Sequence, residues 1–198
     1  MKIYGDMISG NCYKVKLVAA LLEIPHEWVH VDIMVGGART KELLTLNPNG
    51  KVPTMELDDG RCLSESNAII NYLAFDTPLY PTDNYQRAKV QQWQFFEQYS
   101  HEPYIAVARF INRFQGIPEE RKEEYHSKQN GGHYALKVMD DHLSSSPYFV
   151  SDTLTVADIS LYAYTHVSHE GGFSLKHYSS IQAWLNRVSN PPRYVGME

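Results

Sequence analysis

The sequence predicts a two-part α/β protein, with a mixed four-stranded sheet and its helices over residues 1–77 and an all-helical part over residues 86–198. Three observations predict it. Apolar spacing switches between the strand and helix periods in the order β-α-β-α-β-β-α along the first part. Asp59-Gly60, between two short apolar runs, is a hairpin signal. Composition then shifts near Asp76, where Asp76-Thr-Pro-Leu-Tyr-Pro-Thr-Asp-Asn84 reads as a linker, and only helical spacing follows.

Each element has its own pattern. Ile3 and Gly5 alternate with Lys2, Tyr4 and Asp6, a short strand. Val15, Val18, Ala19 and Leu22 recur at i, i+3, i+4 and i+7, one helix face, and Pro25 stops it. Val29, Val31 and Ile33 alternate with Trp28, His30 and Asp32, a second strand. Gly36-Gly37 opens a loop, and Lys41 to Leu46 reads as a short helix. Val52 to Leu57 and Arg61 to Leu63 form the hairpin strands. Ile69, Tyr72 and Leu73 return to helical spacing. The first crossover requires a parallel pair and the hairpin an antiparallel one, so the sheet is mixed. Beyond the linker, helical patterns cover Gln86–Gln115, Glu119–Leu143, Val156–Val167 and Ile181–Val188. Thr155-x-x-Asp158 reads as a capping box, and Gly131-Gly132 weakens the second long pattern.

Composition excludes several classes of function. Hydrophobic residues at 43% with aromatics at 12% describe a folded chain, not a disordered one. No apolar run approaches the roughly 18–20 residues of a membrane span, and the start, MKIYGD, lacks the features of a secretory signal. Net charge is −5 with no basic block, which argues against nucleic acid as a partner. Two cysteines, Cys12 and Cys62, do not make a disulfide framework. A soluble cytoplasmic protein is expected. Of nine histidines, His166 and His169 share a helix face with His177 further on, yet no cysteine or carboxylate completes a metal pattern there, and no metal is expected.

Three segments carry chemistry. Ser9-Gly10-Asn11-Cys12-Tyr13-Lys14-Val15 lies between the first strand and first helix. A helix N-terminus presents free N–H groups and a positive dipole end, and a hydroxyl there can donate to a thiolate; an N-cap serine without further function is the alternative. Asn49-Gly50-Lys51-Val52-Pro53 leads into the third strand. Its proline is either a candidate cis bond that exposes the Val52 backbone to a peptide-like ligand or a simple edge-strand proline. Glu65-Ser66 opens the third helix, where N–H groups and a hydroxyl suit a carboxylate and Glu65 suits an ammonium, unless both only cap the helix. In a sheet of this order the three segments gather at one edge and together suit a small peptide with carboxylates, an amine and a thiol.

Across essentially its whole length the chain resembles the glutathione transferases, specifically the bacterial theta-, zeta- and nu-like groups. The carrying motifs are Ser9-Gly-Asn-Cys-Tyr-Lys-Val15, Leu46-Asn-Pro-Asn-Gly-Lys-Val-Pro53, Leu63-Ser-Glu-Ser-Asn-Ala-Ile69 and Thr155-Val-Ala-Asp158. The resemblance implies a thioredoxin-like N-terminal domain, an all-helical C-terminal domain, a homodimer, and glutathione as co-substrate. It implies that Lys51, Val52 and Pro53 hold the glutathione backbone, that Glu65 and Ser66 hold its γ-glutamyl end, and that Arg39 reaches the glycine carboxylate. Ser9 matches the thiolate-activating serine of theta-like and zeta-like enzymes. Cys12, near the position of the cysteine in beta-like enzymes, Tyr4, near that of a strand tyrosine in other groups, and the Asn11 amide are the alternatives.

The electrophile pocket is expected from Tyr13 and from one face of His101–Phe110, namely Tyr104, Ile105, Ala108 and Arg109, with helical core as the alternative. The resulting expectation is conjugation of the glutathione thiolate to a small hydrophobic electrophile. The rivals are a glutathione-dependent disulfide reductase or peroxidase on the same fold, and a binding protein that has lost turnover.

Overall fold

The computed structural model describes residues 1–197 and divides into two compact units. The first holds residues 1–80 together with the tail from Pro191, and the second holds residues 81–190.

In the first unit, β1 (Lys2–Gly5), β2 (Glu27–His30), β3 (Thr54–Glu56) and β4 (Cys62–Ser64) form one sheet in the order β2-β1-β3-β4. β1 and β2 are parallel, as the α1 (Gly10–Leu21) crossover requires, and the other pairs are antiparallel. The hairpin turns at Gly60, which sits at φ 83° and donates its N–H to the Leu57 carbonyl at 2.9 Å. α2 (Lys41–Leu46) and α3 (Ser66–Ala74) complete the unit. Ile3, Val15, Leu17, Val18, Met55, Ile69 and Ile70 are sealed from solvent and make its core.

Two strands are shorter than the alternation predicts. β2 ends at His30 because the Ile33 N–H goes to Asp6 Oδ2 at 2.9 Å and turns the chain away from the ladder. β3 starts at Thr54 because Pro53 has no N–H to pair, while the Lys51 carbonyl accepts from Asn47 Nδ2 at 2.9 Å and Thr54 Oγ1 at 3.1 Å.

The second unit is helical. α4 (Asn84–Phe96) widens into a π-helical turn over Glu97–His101, continues as α5 (Glu102–Arg109), and widens again over Phe110–Phe114. Pro103 accounts for the first widening, since it has no N–H for the Tyr99 carbonyl one turn back. α6 (Lys122–Leu143), α7 (Val156–Thr165) and α8 (Ser179–Val188) follow.

α6 runs unbroken through Gly131-Gly132, contrary to the expected weakening. The reason is packing: a Cβ on Gly131 would fall 2.2 Å from the Tyr104 ring, and one on Gly132 would fall 2.3 Å from the Phe173 ring. The absent side chains are filled by aromatics from other elements. The capping box at Thr155 and Asp158 is formed, and Asp158 accepts further bonds from the Phe149 N–H and Trp184 Nε1, each at 3.0 Å. Burial pushes the Asp158 carboxyl up to about 6 against these bonds.

The C-terminal tail departs from the expected 86–198 boundary. Tyr13 donates its hydroxyl to the Val195 carbonyl at 2.8 Å, and Arg193 pairs with Glu23 at 2.6 Å, which ties the tail to α1. No helix among the described residues is long and apolar enough to cross a membrane.

Candidate functional site

Sheet register brings the three chemical segments to one end of the first unit. Tyr4 pairs with Thr54, and Thr54 pairs with Ser64, so these three residues lie in a row across β1, β3 and β4. Just beyond that row the chain runs on to Ser9 from β1, arrives from Val52-Pro53 at β3, and leaves for Glu65-Ser66 from β4.

Ser9 is the N-cap of α1, and its Oγ accepts the Cys12 N–H at 3.4 Å. That bond uses a lone pair, and the hydroxyl proton is a donor that faces the Cys12 sulfur and favours its ionised form against burial. The capping role and a donor role are therefore compatible in one side chain. Asn11 Oδ1 accepts from Lys14 Nζ at 2.8 Å and from Ser66 Oγ at 3.2 Å, which joins the start of α1 to the start of α3.

Glu65 precedes α3 at φ 69°, ψ 114°, an unfavourable conformation for a side chain with a Cβ. Its carboxylate makes no capping bond and is exposed. Plain capping therefore does not account for Glu65. Ser66 is buried beneath it.

The Val52-Pro53 bond is cis, Pro53 is buried and Val52 is half-buried. The Lys51 side chain is exposed, while its carbonyl is fixed by Asn47 and Thr54. Gly50, at φ 60°, lets the Arg39 side chain lie against the same turn: a Cβ there would stand 2.8 Å from Arg39 Nη1. The structure thus brings Arg39 to Gly50 and Asn11 to Ser66.

Several expected residues are placed elsewhere. Cys12 is sealed under α1, with the Asp6 N–H donating to its sulfur at 3.4 Å, and burial pushes its thiol up to about 11. A neutral, enclosed thiol is a poor activator, so Cys12 is corrected to core. Tyr4 donates to Glu56 Oε2 at 2.7 Å, and that bond together with burial pushes its hydroxyl up to about 12. It lines a pocket with Leu43 and Leu46 of α2, whereas its neighbour Gly5 faces Cys12. The strand period thus turns Tyr4 away from α1, and it is corrected as an alternative activator.

Tyr13 is also corrected as pocket lining, because its ring is buried and its hydroxyl is held by Val195. On α5, Ile105 and Ala108 have no exposed surface and belong to the helical core. Arg109 is buried and its Nε donates to Glu170 Oε2 at 2.6 Å, so its charge is already answered. Tyr104 keeps partial exposure against Gly131.

Sequence reasoning missed three polar residues that shape the site. Asp6 is buried and joins two loops: Oδ1 accepts from the Ile8 N–H at 3.2 Å and Oδ2 from the Ile33 N–H at 2.9 Å. Asn47 holds the turn before Pro53. Lys14 is buried on α1 with its Nζ on Asn11. The available signal for Lys14 was its place in the stripe Lys14, Leu17, Val18 and Leu21, where a cation interrupts an apolar face. Asp6 and Asn47 gave no such signal, since their partners are backbone groups of loops.

A four-stranded mixed sheet with this end-site, in one chain with a helical unit, defines a thioredoxin-like domain plus helical domain class. Residues 8–74 match the glutathione S-transferase N-terminal domain, and residues 93–192 match the C-terminal domain. A glutathione S-transferase from Pseudomonas fluorescens is similar at 56% identity, over 99% of this chain and 98% of that one, with a TM-score of 0.97. Glutathione S-transferase 2 of Anopheles gambiae is 30% identical over 89% of this chain and 84% of its own length. A maleylacetoacetate isomerase from Methylobacterium extorquens, with malonate and glutathione bound, is similar at 25% identity, over 96% of this chain and 92% of that one, with a TM-score of 0.80. The chain belongs to the glutathione S-transferase family of enzymes and has its glutathione-binding fold.

Proposed function

We propose that the protein conjugates the thiolate of glutathione to a small hydrophobic electrophile. The observation that carries the reading is Ser9: its Oγ caps α1 by accepting the Cys12 N–H, and its hydroxyl proton, which faces the Cys12 sulfur, is placed to turn to a ligand sulfur instead. In this reading the Val52 backbone pairs with the peptide and Glu65 takes the γ-glutamyl ammonium. The N–H groups opening α3 at Ser66 take the adjacent carboxylate, and Arg39 and Lys51 lie toward the glycine carboxylate. The exposed, uncapped Glu65 carboxylate and the Arg39 side chain against Gly50 support those roles.

The Ser9 hydroxyl donates to the sulfur and favours its ionised form, lowering the thiol pKa from its free value of about 8.5. The thiolate attacks the electrophilic carbon, a C–S bond forms, and the leaving group departs with its electron pair. Serine acts electrostatically and forms no covalent bond. Tyr104 is the remaining candidate for electrophile contact from α5. The chain works in the cytoplasm as a homodimer without a metal.

The experiment is thiolate absorbance of bound glutathione against pH for wild type, Ser9→Ala and Cys12→Ala. Ser9→Ala is expected to titrate nearer free glutathione and to lose roughly a hundred- to a thousandfold in rate. Cys12→Ala is expected to keep both. The reverse pattern would reject Ser9 as the activator and replace conjugation with the disulfide-reductase reading. Turnover against aryl halides, epoxides, hydroperoxides and mixed disulfides separates the reaction types.

A further inference from the structure

We propose that Lys14 is a positioning residue for this site: its buried ammonium fixes the Asn11 amide and the Ser66 hydroxyl, and so couples the γ-glutamyl clamp to the sulfur-binding end. The proposal rests on the glutathione reading above for its ligand, and on side-chain geometry for the rest.

Lys14 lies one helical turn into α1 and its side chain is sealed from solvent. A buried ammonium carries a large desolvation cost, and an apolar chain of similar length fills the same space without it. What the charge adds is hydrogen bonding and field. Nζ donates to Asn11 Oδ1 at 2.8 Å and reaches Ser66 Oγ at 3.5 Å, and Ser66 Oγ donates to the same Asn11 oxygen at 3.2 Å. The three groups close a triangle between the first turns of α1 and α3.

The triangle has two consequences. An ammonium can only donate, so the Asn11 amide must turn its oxygen toward Lys14 and its NH2 away. The amide N–H groups are thereby held as donors on the side of Asn11 opposite the cation. The Ser66 proton is committed to Asn11, so Ser66 serves a carboxylate through the backbone N–H at the start of α3. A group that binds at Ser66 thus acts on the orientation of Asn11, two residues from Ser9.

Charge adds to orientation. The N-termini of α1 and α3 carry positive partial charge, and Lys14 places a full positive charge between them. Asp6 is a carboxylate on this side that along with Lys14 acts on the Cys12 position, and it is engaged by the Ile8 and Ile33 N–H groups. Glu65 is exposed at the outer edge. An anion at the start of α1 is therefore favoured by Lys14.

The test uses full-length wild type, Lys14→Met and Lys14→Gln. Methionine keeps the apolar length and removes the charge, whereas glutamine keeps a donor toward Asn11. In the ligand-free protein the side-chain amide of Asn11, assigned by its loss in Asn11→Asp, should give two resolved proton signals that exchange slowly with solvent. Their exchange with solvent should stay slow in Lys14→Gln and become fast in Lys14→Met, the two signals remaining distinct in both because rotation about the amide C–N bond is slow. With glutathione bound, the thiol titration should move up by about one pH unit in Lys14→Met, roughly a tenfold loss of thiolate near neutrality. Its KM for glutathione should change less than its kcat.

An Asn11 amide that exchanges freely in wild type overturns the proposal without any variant. Unchanged amide signals and an unchanged thiol titration in Lys14→Met overturn it too. Should methionine prevent folding, a Lys14→Gln protein whose Asn11 amide exchanges fast with solvent overturns it, and one whose amide keeps slow exchange supports it. Locked signals that depend on Lys14 in a protein without measurable glutathione affinity would support the positioning role and reject the glutathione reading.

Discussion

Glu65 holds φ 69° without the conformational freedom of glycine, at the residue proposed to meet the ligand's ammonium. Such a backbone costs of order 1–3 kcal/mol and persists only where the surroundings over-determine it. Glu65→Gly relieves the strain and removes the carboxylate together. Thermal unfolding should show a Tm about 2–4 °C higher, while calorimetry should show glutathione affinity lower by roughly ten- to a hundredfold. A lower Tm would reject the strain, and unchanged affinity would reject the ammonium contact. Residue-level chemistry was only partly legible in the sequence. Ser9 read as a cap or as a donor, and the bond to the Cys12 N–H makes it fit for both. Cys12 and Tyr4 both stood as alternatives to Ser9 because sequence does not record which neighbours close over a side chain. Gly5 and Trp28 meet beside the Cys12 sulfur, and Glu56 claims the Tyr4 hydroxyl.

At the scale of elements, local signals predicted helix starts well where a side chain answers the first free N–H groups. The clearest case is Asp158, which accepts from the Thr155 N–H and the Thr155 hydroxyl, as the spacing predicts, and also from Phe149 and Trp184, which it does not. The carboxylate therefore fastens α7 to the segment before it and to α8. Asp158→Ala would strand several buried donors, each at about 1–3 kcal/mol. The expected loss is about 4 kcal/mol or more, read as a lower urea midpoint, with Asp158→Asn losing less because one oxygen remains. A loss under about 1 kcal/mol for alanine would show that α7 is held by its apolar packing alone. Gly131-Gly132 teaches the opposite lesson. Helix propensity argued against these positions, and tertiary contacts with Tyr104 and Phe173 reverse the argument, because those rings occupy the space a Cβ needs.

For the whole molecule, both units leave large apolar side chains in solvent: Tyr72 and Phe75 on and just after α3, and Tyr85, Phe95 and Tyr99 along α4 and the turn after it. Scattered exposed aromatics are ordinary, but within each unit a pair one turn apart, Tyr72 with Phe75 and Phe95 with Tyr99, suits burial against a second copy in the proposed homodimer. Light scattering at micromolar concentration should give twice the chain mass of 22.7 kDa. A monomer at that concentration would reject the homodimer. Replacing Tyr72 and Phe75 together by serine should shift the mass toward the monomer.

By itself the sequence determined the order of elements, the mixed sheet and the all-helical second part, and it singled out the three segments that make up the candidate site. Each of these rests on period, turn chemistry or capping, which act over a few neighbouring residues. Only the tertiary structure decided which polar groups work together. Lys14 with Ser66, Asp6 with Ile33, Arg39 with Gly50 and Tyr13 with Val195 join residues that neither period nor spacing relates. Long-range contact sets burial, and burial sets whether a hydroxyl, thiol or ammonium is a donor to a ligand or a tie within the fold.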